Sequence, residues 1–256
     1  MAEERQVKYT IGETFELPSK GLIYDKKVNP QIELRSMTAR DEMKRLNPSG
    51  TQFKALAEII EGCCIEKPAV HVYDMALGDY EFLLHRLRIV TYGDDYKIGI
   101  RCPHCGQLIE TTAHLESLGV KEFDLEEFNK KRVLTLPVSK RVVTLNFQTP
   151  RMLDEIDAKV KEMKRKFKSA EIAFDVLVLL EAVIDTVDGE KLDSTKLETF
   201  INNLPAKDMT KIINSVDDLN DLVGIDNRLF VDCNKCGGEV ETSFRYGSEF
   251  FRPTTI

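Results

Sequence analysis

Cys102-Pro-His-Cys-Gly-Gln-Leu-Ile-Glu-Thr-Thr112 and Cys233-Asn-Lys-Cys-Gly-Gly-Glu-Val-Glu-Thr-Ser243 align without a gap. Both read Cys-x-x-Cys-Gly-x-x-(Ile/Val)-Glu-Thr-(Thr/Ser). Each follows a strand-like alternation in which Ile98 and Ile100 match Leu229 and Val231 at the same offsets. The repeated unit is strand, knuckle, strand. A strand ends at the first Cys, and two residues turn the chain so that both sulfurs face one point. The glycine after the second Cys can take positive φ as the chain turns back. One knuckle supplies two thiolates, and two knuckles complete the tetrahedral set that structural zinc prefers. Cys102, Cys105, Cys233 and Cys236 are therefore expected to hold one Zn2+ ion, closed and structural because four protein ligands leave no open position.

A redox reading competes for the first pair, since Cys-Pro-His-Cys resembles the active-site tetrapeptide of a thioredoxin-fold oxidase. That chemistry needs the first Cys at a helix N-terminus, where the dipole lowers its pKa. Here Gly-Gln-Leu-Ile-Glu-Thr-Thr follows Cys105, which is strand-like, and the second pair copies the arrangement. His104 is expected to face solvent. Cys63 and Cys64 end a helical pattern from Phe53 to Glu61, with Gly62 as its C-cap, and read as buried free thiols. His71, His85 and His114 have no partner at ligand or triad spacing. No Gly-x-Ser-x-Gly, phosphate loop or spaced carboxylate pair occurs, so neither an enzyme nor a small-molecule substrate is expected.

Bulk charge points the same way. With 36 basic and 43 acidic side chains the net charge is −7, whereas a nucleic-acid binder displaces counterions with surplus Lys and Arg. The one basic run, Lys159-Val-Lys-Glu-Met-Lys-Arg-Lys-Phe-Lys168, reads as the solvated face of an amphipathic helix, or else as a polyanion site. No apolar run approaches the roughly 18–20 residues that span a bilayer. The charged start of the chain lacks the apolar region of a signal peptide, so a cytosolic protein with no membrane partner is expected.

The coarse organisation is α+β: a zinc-ribbon-like β core formed by two distant knuckles, with a mostly helical insertion between them. Residues 1–95 read as a mixed α/β region, 96–148 and 224–256 as the knuckle core, and 149–223 as an inserted helical subdomain. Extended segments in 13–35 precede helices opened by Thr38 and Thr51. Asp79 reads as the cap of a third helix, ending at Gly93. Two strands are expected within 132–147, and Thr149 with Pro150 signals a helix start. Helices are expected over 150–167, 169–185, 194–203 and 205–218.

A family resemblance attaches to several stretches. Phe15-Glu-Leu-Pro-Ser-Lys-Gly-Leu-Ile-Tyr24 and Ile32-Glu-Leu-Arg-Ser-Met-Thr-Ala-Arg-Asp-Glu42 carry it. So do the segment from Asp79 to Gly93, the Cys-Pro-x-Cys-Gly knuckle and the closing Phe-Phe-Arg-Pro. Together they resemble the hub-assembly proteins of the baseplate in contractile-tailed, T4-like bacteriophages. The resemblance covers most of residues 13–115 and the last 30; the helices between are too generic to count. It implies a non-enzymatic role among other tail and hub proteins, in the host cytoplasm during assembly or in the virion tail. Two apolar strips suit such contacts, Leu22, Ile23 and Tyr24 at one end and Phe250 and Phe251 at the other, unless each packs on its own domain. The alternative is a zinc-ribbon nucleic-acid-binding or transcription accessory protein.

Overall fold

The computed structural model describes residues 12–48, 50–167, 173–244 and 248–251. Strands β1 (Gly12–Glu16) and β2 (Gln31–Arg35) pair antiparallel, with Phe15 opposite Ile32. Helices α1 (Ala39–Leu46), α2 (Gln52–Cys63) and α3 (Leu77–Tyr92) follow. Thr38 caps α1 in a capping box with Asp41, which satisfies two orphan donors at once. Gly62 proves to be inside α2. The helix runs on to Cys63, and Cys64 turns extended to bridge Leu34.

α3 is the centre of the first core. Tyr80, Leu83, Leu84 and Leu87 are buried on it, and so are the polar His85 and Arg88. A helix buried nearly all round needs partners on every side. Leu17, Leu34, Ile60, Cys63 and Met75 come from before it, and Leu115, Phe244, Phe250 and Phe251 from after it. Asp79 does not cap α3. Ala76 is the N-cap, and Asp79 lies three residues inside the helix, fully buried.

Beyond α3 come the hairpin β3 (Asp95–Arg101) and β4 (Leu108–His114), then α4 (Leu125–Arg132), β5 (Val133–Thr135) and β6 (Val142–Leu145). α5 (Pro150–Lys166), α6 (Phe174–Val183) and β7 (Ile184–Val187) precede α7 (Ser194–Asn202) and α8 (Ala206–Asn220). A second hairpin, β8 (Arg228–Asp232) and β9 (Glu239–Ser243), closes the order before a 3-10 turn at Ser248–Phe251. Thr149 caps α5 by accepting from the Met152 N–H at 3.1 Å, with Pro150 in the first turn.

The second core differs from its sequence reading. β5, β6 and β7 form one antiparallel sheet that shares its core with α6 and α8, through Leu134, Leu136, Val143, Leu180, Ile212, Val216 and Leu219. β5 and β6 thus pack away from the knuckles. β7 lies where a helix was expected to continue to residue 185. The reason is tertiary: pairing Val187 with Val143 and Ile184 with Leu145, across an irregularity in the register, buries both ends of the segment, which helix propensity alone cannot outweigh. The expected helix start at 169 lies outside the described residues. So do Lys168 of the basic run and Arg252 and Pro253 of the closing motif.

The excursion from 119 to 226 returns to its origin. Val120 bridges Ile225, Lys121 N–H donates to Gly224 O at 3.0 Å, and Asp226 N–H to Gly119 O at 2.8 Å. The start of α3 presses on this neck at Gly78, where any Cβ would collide with the Val223 carbonyl.

Candidate metal centre

The two hairpins match residue for residue. Cys102 N–H donates to Gln107 O at 2.8 Å and Gly106 N–H to Cys102 O at 2.9 Å. In the second knuckle Cys233 N–H donates to Gly238 O at 2.9 Å and Gly237 N–H to Cys233 O at 2.8 Å. Gly106 has φ +73° and Gly237 φ +69°, the left-handed conformation glycine adopts without a Cβ penalty. Behind the loops, Ile100 pairs with Ile109 and Val231 with Val240. Ile109 and Val240 pack with Cys102 and Cys233 in a cluster separate from both large cores.

These loops bring four sulfurs together. Cys102 Sγ lies 3.8 Å from Cys236 Sγ, Cys105 Sγ lies 3.7 Å from Cys233 Sγ, and all four are within 4.8 Å of one another. Such separations exceed a disulfide bond of about 2.05 Å. They match the edge of a tetrahedron with metal–sulfur bonds of about 2.3 Å, which is about 3.8 Å. The donor set therefore fits a tetrahedral thiolate site. Cys102 and Cys233 are buried, Cys105 is half-buried and Cys236 is exposed, so the site lies at one edge of the protein.

Local electrostatics favour thiolate at one position and resist it at another. The backbone N–H groups of Cys236 and Lys235 point at the Cys233 sulfur and, against burial, bring its pKa down to about 6. Gly238 N–H likewise favours a Cys236 thiolate, but burial and the thiols of Cys105, Cys233 and Cys102 outweigh it and push that pKa up to about 11. A cation among the four sulfurs would favour the thiolate at every position, because metal ligation deprotonates thiols. His104 is exposed, with Nε2 3.3 Å from Glu239 O, and is not in the sulfur cluster.

Both hairpins root in the first core. Arg88 is fully buried, donates to Gly93 O at 2.9 Å, and sits 5.0 Å from the Tyr92 ring centroid. It thereby ties the end of α3 to the approach to β3. His114 was expected to have no partner, but the β3–β4 register places it opposite Asp95, with Nδ1 3.1 Å from both Asp94 and Asp95 carboxylates. Strand register was the signal that could have found this pairing.

The apolar strips need correction. Phe250 and Phe251 are fully buried. After β9 the chain returns to α3, where the Phe250 ring lies 5.3 Å from Tyr96 and stacks on His85 at 6.3 Å. Phe251 meets Phe250 edge-on at 5.8 Å. Ile23 is buried in the second core. Tyr24 donates to Asp79 at 2.6 Å, accepts from Ala76 N–H at 3.1 Å, and packs edge-on against Phe147. Only Leu22 of the five is exposed. Asp79 gathers this strap, since Ser19 donates to it through both its N–H and its hydroxyl. Reading Asp79 as a cap missed this, because burial of a lone carboxylate leaves no mark in local sequence.

The basic run is largely neutralised where it stands. Lys159 pairs with Glu181, Lys161 with Asp157 at 2.5 Å, Lys164 with Asp175 at 3.0 Å and Lys166 with Glu162 at 2.5 Å. Cys63 and Cys64 are buried thiols whose pKa values burial pushes up to about 12. No helix among the described residues is long and apolar enough to cross a membrane.

Fold and site define a class first: a mixed α+β protein of small antiparallel sheets, with four cysteines from two distant hairpins converging on one point. The family follows from comparison along the chain. Residues 10–252 match the family model described as T4 bacteriophage base plate protein, and the chain belongs to that family. It is a structural protein of the phage baseplate. No curated protein and no solved structure matches it.

Proposed function

We propose that the protein is a non-enzymatic assembly component of the baseplate's central hub. It works by protein–protein contact in the host cytoplasm and carries one structural zinc ion on Cys102, Cys105, Cys233 and Cys236. The observation that supports this most is the family match over nearly the whole chain. The sulfur tetrahedron supports the zinc: four thiolates fill the coordination shell, leaving no position for water or substrate. Bound there, zinc clamps the roots of a long excursion together. The local pairing of the basic run favours the hub reading over a nucleic-acid accessory role.

Two measurements test the proposal. Elemental analysis of purified protein should give close to one zinc per chain, and a metal-free protein with a Cys102–Cys105 disulfide would sink the metal assignment. Fractionation of infected cells should place the protein with hub or tail intermediates. Salt-sensitive retention on DNA without tail proteins would favour the alternative.

A further inference from the structure

α1 is built inside out. On a helical wheel Asp41 and Arg45 share one face, and that face is buried, at 7% and 8% exposure. The opposite face carries Ala39, Met43 and Leu46 at positions i, i+4 and i+7, the spacing of a single stripe. Met43 is 62% exposed and Leu46 67%. An ordinary surface helix puts these groups the other way round.

The inversion is pinned by polar contacts. Arg35 Nη1 donates to Asp41 Oδ2 at 2.8 Å, and Asp41 Oδ2 also accepts the Thr38 N–H at 2.9 Å. Arg45 grips Glu42 through two nitrogens, at 2.8 and 2.5 Å. Burying charges is costly unless they are paired and hydrogen-bonded, and here they are. Rotating α1 to hide Met43 and Leu46 would break the Arg35–Asp41 pair, which crosses from β2 to the helix. The apolar stripe is therefore held outward by the fold.

The borders of the stripe indicate what covers it. Glu42 lies on one side, already engaged by Arg45. Arg40 and Lys44 lie on the other, exposed and without an ion-pair partner among the described residues. An antiparallel pair of α1 helices from two copies would bring these basic edges together, which like-charge repulsion opposes. A segment with carboxylates beside its apolar anchors complements the surface, and a flexible Met suits an adaptable contact.

We propose that the outer face of α1 docks an apolar, acid-flanked segment of another baseplate protein, an inference that rests on the assembly role above. The test places a photoreactive benzophenone side chain at position 43 or 46 of the full chain, irradiates assembling particles and maps the crosslinked peptides. Crosslinks should fall on another baseplate protein, where Asp or Glu flanks apolar residues. Arg40→Glu with Lys44→Glu should lower their yield about 30-fold, as loss of a hot spot does, with melting temperature unchanged. Crosslinks into residues 1–11, a second copy or lipid would overturn the proposal. So would an incorporated protein that crosslinks to nothing, which leaves the assembly reading standing. A protein absent from every tail intermediate removes the assembly reading, and this inference with it.

Discussion

The core around α3 and the paired knuckles achieve order by opposite means. Around α3, Leu34, Ile60, Met75, Leu83, Leu84 and Leu87 are essentially inaccessible to solvent, and aromatic rings close the remaining space. The knuckle cluster buries only Cys102, Ile109, Cys233 and Val240. Two aliphatic side chains, at about 1.5–3 kcal/mol each, are a thin contact between two knuckle loops whose residues cost about 1–2 kcal/mol each to order. Backbone pairing orders each hairpin internally but does not join one to the other. With zinc on the four cysteines as proposed, metal ligation would substitute for area where the fold buries little.

Breaking the ligand set should have the largest effect. Cys102→Ser or Cys233→Ser is expected to abolish metal binding and cost about 5 kcal/mol, the range reached when a structural metal is lost. Hydrogen exchange should show both hairpins opening while α3 remains protected. Equal loss of protection in α3 would mean that the two regions are one cooperative unit.

Next in size is the complementary experiment on the aromatic core. Phe250→Ala should cost about 3–5 kcal/mol in denaturant unfolding yet leave the zinc stoichiometry of the folded fraction intact. A folded variant that has lost its metal would erase the contrast, because the knuckles would then depend on the core above them.

A smaller effect sharpens the boundary between the two large cores. Tyr24→Phe keeps the ring against Phe147 but removes the hydroxyl that serves Asp79 and the Ala76 N–H. Leaving buried polar groups unsatisfied costs about 1–3 kcal/mol. A change below about 0.5 kcal/mol, the level of ordinary surface substitutions, would show that the strap is not held by this hydroxyl.

The legibility of the chain follows the range of the interactions. The knuckles were readable because ligand type, spacing and glycine placement are local, and the repeat states them twice. The helix signals at Thr38, Thr149 and Pro150 are local too. β7 was not readable, since its pairing with β6 depends on a partner about 40 residues earlier in the chain. α4 went unnoticed because its eight residues carry one buried apolar side chain, Phe128. The apolar ends misled for a related reason. Phe250 and Phe251 are sticky near a chain end, but only tertiary structure shows that they fold back onto α3. Met43 and Leu46 were overlooked because their helix hides its charges instead.

The distance between the knuckles along the chain sets a schedule. Cys105 and Cys233 are 128 residues apart, and ribosomes add about 5–20 residues per second. The first pair of thiols therefore emerges roughly 6–26 s before the pair that completes the site. Phe250 and Phe251, which seal the core around α3, emerge later still. A nascent chain can pack the excursion between its hairpins before its four thiols can meet. An interrupted chain lacks both the second pair of thiols and the aromatic seal, so completion of the sulfur tetrahedron reports that translation has passed the second knuckle.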